Sequence, residues 1–342
     1  MDSDRNLFPF VRIVGQEEMK LALLLNVVDP SIGGVLIRGE KGTAKSTTVR
    51  SVERILPPVP SSTGCRFHCD PRNVKNLCEE CKEKLQKGEL ETYMRPMRVV
   101  ELPLNATEDR ISGSLDIEQV LATGKRKYEP GVLADANCNL LYVDEVNLLD
   151  DHIVDLLLDS AAMGRNNVDR EGISFSHRSN FILLGPMNPE EGNLRPQLLD
   201  RFWMCVDVKG DINPDVRMEV IKRRLAFDED PESYCQEYAA ESDALREKLE
   251  TARKSLKDIK ISDDLIHQVA IVAIRFGMEG HRSDLAMIRA ARANAALEGR
   301  NEVEVGDIAA TAGMILRHRV KGGTFDQSTF KQEDLLRCLR GL

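Results

Sequence analysis

The chain has 342 residues, 42% of them hydrophobic and 30% charged, with a formal net charge of -9. These values suit a soluble protein of one or two domains with a sizeable core and argue against a general nucleic-acid binder, which needs a basic face. No apolar run approaches the roughly 20 residues that span a bilayer, and the acidic start "MDSDRNLFPF" has neither signal- nor transit-peptide character, so a cytoplasmic protein is expected.

The first strong element is the apolar run "GGVLIR" at residues 33–38, read as a buried strand. "GEKGTAKST" follows at once: Gly39, Glu40, Lys41, Gly42, Thr43, Ala44, Lys45, Ser46 and Thr47. A glycine-bearing loop between a strand and a helix, ending in Lys-Ser, is the pattern that cradles nucleotide phosphates. Its backbone N–H groups point at phosphate, its lysine meets the β- and γ-phosphates, and its serine offers a hydroxyl to Mg²⁺. ATP and Mg²⁺ are therefore expected, against the bland reading of a loop with no ligand. Ala44 stands where glycine is usual, and a near-helical backbone is expected there. The helix "STTVRSVERIL" runs on to Pro57-Pro58.

"CRFHCDPRNVKNLCEEC" places Cys65, Cys69, Cys78 and Cys81 in the spacing C-x3-C-x8-C-x2-C. Two close thiolate pairs can make a tetrahedral site, which favours a structural zinc. His68 could replace one thiolate, and an iron–sulfur cluster also suits four thiolates. Disulfides are disfavoured in a reducing compartment. The cluster lies between the first helix and the second strand, so residues 64–95 read as a metal-stapled insertion on an ATPase core.

"RVVELP" (98–103) is a second strand and "NLLYVDEVN" a third, which ends on Asp144 and Glu145. After a phosphate loop, such a pair suits an aspartate holding Mg²⁺ through water and a glutamate orienting the attacking water; alone it would be a solvated strand end. "FILLG" (181–185) and "FWMCVDV" (202–208) complete a five-stranded, mostly parallel sheet of an α/β fold. Asn188, after the fourth strand, could position water. Arg201 ends a helix before the fifth strand, and Arg282 begins a helix further on. Each arginine taken singly would be a surface ion pair. After Gly210 the character turns helical: residues 232–258 read as one long exposed helix, and "DDLIHQVAIVAIRFGM" and "SDLAMIRAARANAALEG" have helical spacing. The expected division is an ATPase core over 1–209 and a helical domain over 210–342.

With these motifs in hand, the chain resembles AAA+ ATPases and, within them, the I-subunit family of magnesium chelatases. The blocks that carry this include "FPFVRIVGQEEMKLALLLNVVDPSIGGVLIRGEKGTAKST", "LLYVDEVNLLDDHIVDLLLDSAAMG", "NPEEGNLRPQLLDRF" and "GHRSDLAMIRAARANAALEGR". The resemblance implies a homo-oligomeric ring, often hexameric, with nucleotide between subunits. It implies that Arg201 is the finger acting on the neighbour's ATP, Asn188 sensor 1, Arg282 sensor 2 in a helical lid, and Arg195 a second interface arginine. Val14, with Gly15 and Gln16, lies where the family contacts adenine. It further implies an insert at about 109–122 and a hairpin over Asn167–His177 with Glu171-Gly172 at its turn. The implied machine couples ATP hydrolysis to insertion of Mg²⁺ into protoporphyrin IX, with D- and H-type subunits as partners; this chain would be the motor. The four cysteines depart from the best-known photosynthetic members, which leaves room for another metal or tetrapyrrole. Two other roles stand beside this one: a metal-loading AAA+ chaperone, and a nucleic-acid ring, against which the net charge of -9 counts.

Overall fold

The computed structural model describes residues 6–115, 128–170, 173–320 and 331–339. A parallel five-stranded sheet organises the fold, as the apolar runs predict. Its strands are β1 (Val35–Gly39), β4 (Val99–Leu102), β7 (Leu140–Val143), β10 (Ile182–Met187) and β11 (Met204–Val208), in the order β11-β1-β10-β7-β4. β1, β7 and β10 are buried nearly throughout, as expected of parallel strands covered on both faces. Gly39 pairs with Val208, and a Cβ on Gly39 would collide with the Val208 carbonyl, so the strand end that opens the phosphate loop needs glycine.

Three antiparallel pairs are built off this sheet: β2 (Pro58–Ser62) with β3 (Thr92–Pro96), β5 (Gly113–Leu115) with β6 (Tyr128–Pro130), and β8 (Arg165–Arg170) with β9 (Ile173–Arg178). By its contacts the chain forms two compact units, Met1–Leu56 with Pro186–Leu342, and Pro57–Gly185.

In the first unit, α1 (Glu17–Val28) is buried along most of its length. Its Asn26 is fully buried and satisfied: the amide nitrogen donates to the Ala22 carbonyl at 2.9 Å and the amide oxygen accepts from Gly34 N at 3.1 Å. α2 (Lys45–Ser51) follows the phosphate loop and tightens into a 3-10 turn over Val52–Ile55. The helical stretch after Gly210 appears as predicted, with one correction. The single helix expected over 232–258 is two, Pro231–Glu237 and Ala239–Ser255. The break falls at Tyr238, whose ring packs on Tyr234 at 5.0 Å beneath the Arg12 guanidinium at 4.2 Å.

Later come the helices Asp263–Arg275, Arg282–Leu297 and Val305–Leu316. The last of these starts with a capping box between Glu304 and Asp307. Asp307 is buried and accepts from Arg300 Nη1 at 2.8 Å, Asn294 Nδ2 at 2.7 Å and the Glu304 backbone at 2.8 Å. Burial pushes its carboxyl up, but these donors outweigh that and hold it below the usual range.

In the second unit, Glu79–Lys87 is a helix inside the cysteine insertion and Asp151–Met163 a longer one before β8. The expected insert at 109–122 begins as a short helix, Glu108–Ser112, and then β5; residues 116–122 lie outside the described residues, as does the Glu171-Gly172 turn.

Candidate functional site

The phosphate loop leaves β1 at Gly39 and enters α2 at Lys45. The near-helical backbone expected at Ala44 is not found: the residue sits in the left-handed region at φ 61°, ψ 18°, capping α2. That conformation costs an alanine about 1–2 kcal/mol. A left-handed residue in such a turn is the kind of backbone that lets successive N–H groups form an anion-binding nest. The Lys45 ammonium donates to the Glu40 carbonyl at 2.7 Å and also to the Gly39 carbonyl. Thr43 Oγ1 donates to Glu40 O at 2.8 Å. Lys41 pairs with Glu191. Ser46 and Thr47 stand in the first turn of α2.

Asp144 and Glu145 follow directly on β7, at its carboxyl end. Glu145 is also left-handed, at φ 49°, ψ 54°, and leads a 3-10 turn over Val146–Leu148. A non-glycine residue held there is the kind of local strain that persists where surrounding structure demands one side-chain direction. Asn188 follows β10, is 4% exposed, and its side-chain oxygen accepts from Glu190 N at 3.3 Å. Val14 precedes two successive left-handed residues, Gly15 and Gln16, and Gln16 Nε2 donates to Lys209 O at 3.1 Å.

Arg195 caps the short helix Pro196–Leu199, after which Asp200 and Arg201 lead back toward β11. Side chains that sequence reasoning passed over hold this loop. Arg319, its side chain 5% exposed, donates to Asp200 Oδ1 at 3.0 Å and to the carbonyls of Asp200 at 3.0 Å, Phe202 at 2.6 Å, Trp203 at 3.1 Å and Ile315 at 2.7 Å. Burial pushes its guanidinium down and Asp200 draws it back. His318, half-buried and held well below its usual range by desolvation, bonds to Phe202 O through Nε2 at 3.0 Å. Arg282, at the start of Arg282–Leu297, donates to Asp200 Oδ2 at 2.8 Å and Asp200 O at 3.1 Å. Trp203 lies against Gly33, where a Cβ would come 2.6 Å from the indole, and under the Arg289 guanidinium at 4.9 Å. Spacing gave no hint of Arg319 or His318, because "RHR" near a helix end reads as solvated charge.

The four cysteines come together as predicted, their Sγ atoms all within 4.8 Å of one another. Cys65 Sγ and Cys78 Sγ are 3.7 Å apart, far from a bond of about 2.05 Å and close to the edge of about 3.8 Å of a tetrahedron with 2.3 Å arms. Hydrogen bonds from Cys69 and Cys78 hold the Cys65 thiol well below its usual range; Cys69 and Cys78 are pushed up, chiefly by donating to Cys65; burial first, then its neighbours, pushes Cys81 up to about 12. Four sulfurs this close could all be thiolates only with a cation among them, and the donor set fits one. His68 points elsewhere, its Nε2 lying 3.7 Å from Asp135 Oδ1. Phe67, inside the Cys65–Cys69 knuckle, packs on Phe175 and His177 of β9 at ring distances of 5.8 and 5.1 Å. Tyr128 stacks on Phe175 at 4.0 Å. The Asn137 side chain ties the knuckle to the segment after β9, donating to Phe67 O at 2.9 Å and accepting from Asn180 N at 3.0 Å.

The family model for magnesium chelatase, subunit ChlI, matches residues 9–197, and that for an AAA lid domain matches residues 267–337. The magnesium-chelatase subunit ChlI homolog of Methanocaldococcus jannaschii is 50% identical over 96% of this chain and 90% of its own length. The magnesium-chelatase 38 kDa subunit of Acidiphilium rubrum is 48% identical over 94% of this chain and 93% of its own. Among solved structures, a complex between subunits BchI and BchD of magnesium chelatase contains a chain 41% identical to this one, with a TM-score of 0.54 over 93% of this chain and 98% of that one.

Proposed function

Since the chain belongs to the magnesium chelatase ChlI family of AAA+ ATPases and is an ATP-driven chelatase motor subunit, we propose that it drives insertion of Mg²⁺ into protoporphyrin IX, in a ring of its own copies, with a D-type and an H-type partner in the cytoplasm. The observation that supports this best is near-half identity over nearly the full length of named chelatase subunits. The D-type partner is supported by the BchI–BchD complex. Among the described residues no helix is long and apolar enough to cross a membrane.

In this reading, the domains are an ATPase core over 1–209 and a lid over 210–342. Residues Gly39–Thr47 hold the phosphates of Mg-ATP, with Lys45 leaving the loop carbonyls for the β- and γ-phosphates. Ser46 and Asp144 hold Mg²⁺, and Glu145, with Asn188, orients and activates the attacking water. Arg282 of the lid meets the γ-phosphate in the same subunit, while Arg201 and Arg195 reach the neighbour's. Val14 borders the adenine. Cys65, Cys69, Cys78 and Cys81 hold a structural zinc that would fix the insertion's knuckle; the tetrahedral sulfur spacing supports this.

The deciding assay supplies the chain to D- and H-type subunits and follows Mg-protoporphyrin by absorbance. Insertion is expected to require this chain and to fall by about 10²-fold or more with Glu145→Gln, which removes the general base but keeps nucleotide binding. Robust ATPase in a formed complex with no Mg²⁺ insertion would move the assignment to another metal or tetrapyrrole.

A further inference from the structure

Arg201 sits beside Asp200, which two arginines grip, and the two grips differ in kind. Arg319 has its side chain buried, and its five bonds reach the carboxylate or carbonyls of Asp200, Phe202, Trp203 and Ile315. A guanidinium has five N–H donors, so its capacity is used up, and leaving this place would strand both the cation and the carbonyls. Arg319 is a fixed holder. Arg282 is different. Its side chain is 46% exposed, and one nitrogen makes both of its contacts to Asp200. An exposed pair of this kind is weak and exchangeable. Arg282 also stands at the first turn of a 16-residue helix, where the dipole favours an anion over a bare cation. The Asp200 carboxylate supplies that anion.

We infer that Asp200 is a positioning residue that competes with the nucleotide's terminal phosphate for Arg282, so that ATP in a subunit's own pocket removes one of the two grips on Asp200, next to Arg201, while Arg319 keeps the loop anchored. This rests on the reading of Arg282 as the lid residue facing phosphate. Asp200 engages both N–H groups of Arg282 Nη1, so a terminal phosphate that takes that nitrogen displaces Asp200 from it. When phosphate takes Arg282, the Asp200 carboxylate keeps only Arg319, and the backbone of Asp200 loses one of its two donors. The adjacent Arg201 is then re-aimed. The state of one pocket is thereby written into the residue that serves the next.

The experiment is a double-mutant cycle in the full chain, read by binding of a non-hydrolysable Mg-ATP analogue and by ATP turnover. Asp200→Asn keeps the shape and an acceptor for Arg319 but removes the competing charge. It is expected to tighten analogue binding by about two- to fivefold, the worth of an exposed ion pair, while lowering kcat by about tenfold or more through misplacement of Arg201. In an Arg282→Ala background the tightening should vanish. Opposite movements of affinity and turnover are not what loss of a structural contact does. If Arg282→Ala weakens binding but Asp200→Asn does not tighten it, the competition is overturned while Arg282 keeps its phosphate role. If Arg282→Ala leaves binding unchanged, the lid assignment itself fails and takes the inference with it.

Discussion

Ala44 shows how a single backbone angle can be hidden from sequence. Its type and neighbours suggest the start of a helix, yet the residue is at φ 61° because the loop must turn before α2 begins. Ala44→Gly should remove about 1–2 kcal/mol of strain and add back roughly 0.5–1 kcal/mol of unfolded-state entropy. The expected result is a melting temperature equal to or above the parent's, with stability higher by up to about 1.5 kcal/mol. A clear loss of stability would mean the alanine methyl makes a packing contact worth more than its strain. The places of Lys45 at the start of α2 and of Asp144 and Glu145 at the end of β7 were legible, because short apolar runs mark the strands they follow. Asp200, Arg319 and His318 were not: what they do depends on carbonyls far along the chain, and carbonyls have no signature in sequence.

At the scale of elements, the strands of the central sheet were legible as short apolar runs bounded by polar turns. The antiparallel pairs were less so. β2, "PVPSS", carries two prolines and no apolar run, and only the resemblance pointed to the β8–β9 hairpin. The cysteine knuckle packs on that hairpin through Phe67, Phe175 and Tyr128. Cys78→Ser, or chelation of zinc, is therefore expected to speed amide exchange in residues 64–95 and 173–178 while nucleotide affinity changes little. One zinc per chain before treatment and none after checks the premise. Unchanged exchange in 173–178 would show that the aromatic packing holds without metal. The Asp307 cap offers a second test. Its carboxyl is depressed, so its stabilisation is present above the ordinary carboxylate range, about 4, and is lost as pH falls through the lowered folded value. Asp307→Asn should cost about 1–3 kcal/mol at neutral pH, less than a fully buried pair because Arg300 is part exposed, and should flatten the acid limb of the stability curve.

For the whole molecule, the family was legible in long ordered blocks, whereas the contact-based division into Met1–Leu56 with Pro186–Leu342, and Pro57–Gly185, was not. The first of these units joins segments separated by 129 residues of chain, a topology no local pattern announces. If Arg201 serves a neighbour's nucleotide, inactive Arg201→Ala and inactive Lys45→Ala chains should regain part of the parent's turnover when mixed, since some interfaces then pair an intact arginine with an intact loop. An arginine of this kind is worth about 10³–10⁵ in rate, so even a small recovery stands out. Mixed rings with no recovery would place Arg201 outside the neighbour's site.

The chain contains a single tryptophan, and it is Trp203, two residues beyond Arg201, packed between Gly33 and the Arg289 guanidinium. The fold has thus placed its only strong intrinsic fluorophore beside the loop that would serve the neighbouring subunit. A cation over an indole perturbs its emission, so small movements of Arg289 or of the Asp200–Trp203 turn become optical signals. Stopped-flow emission can then time that turn's response to nucleotide in the unlabelled protein, separately from the later chemistry.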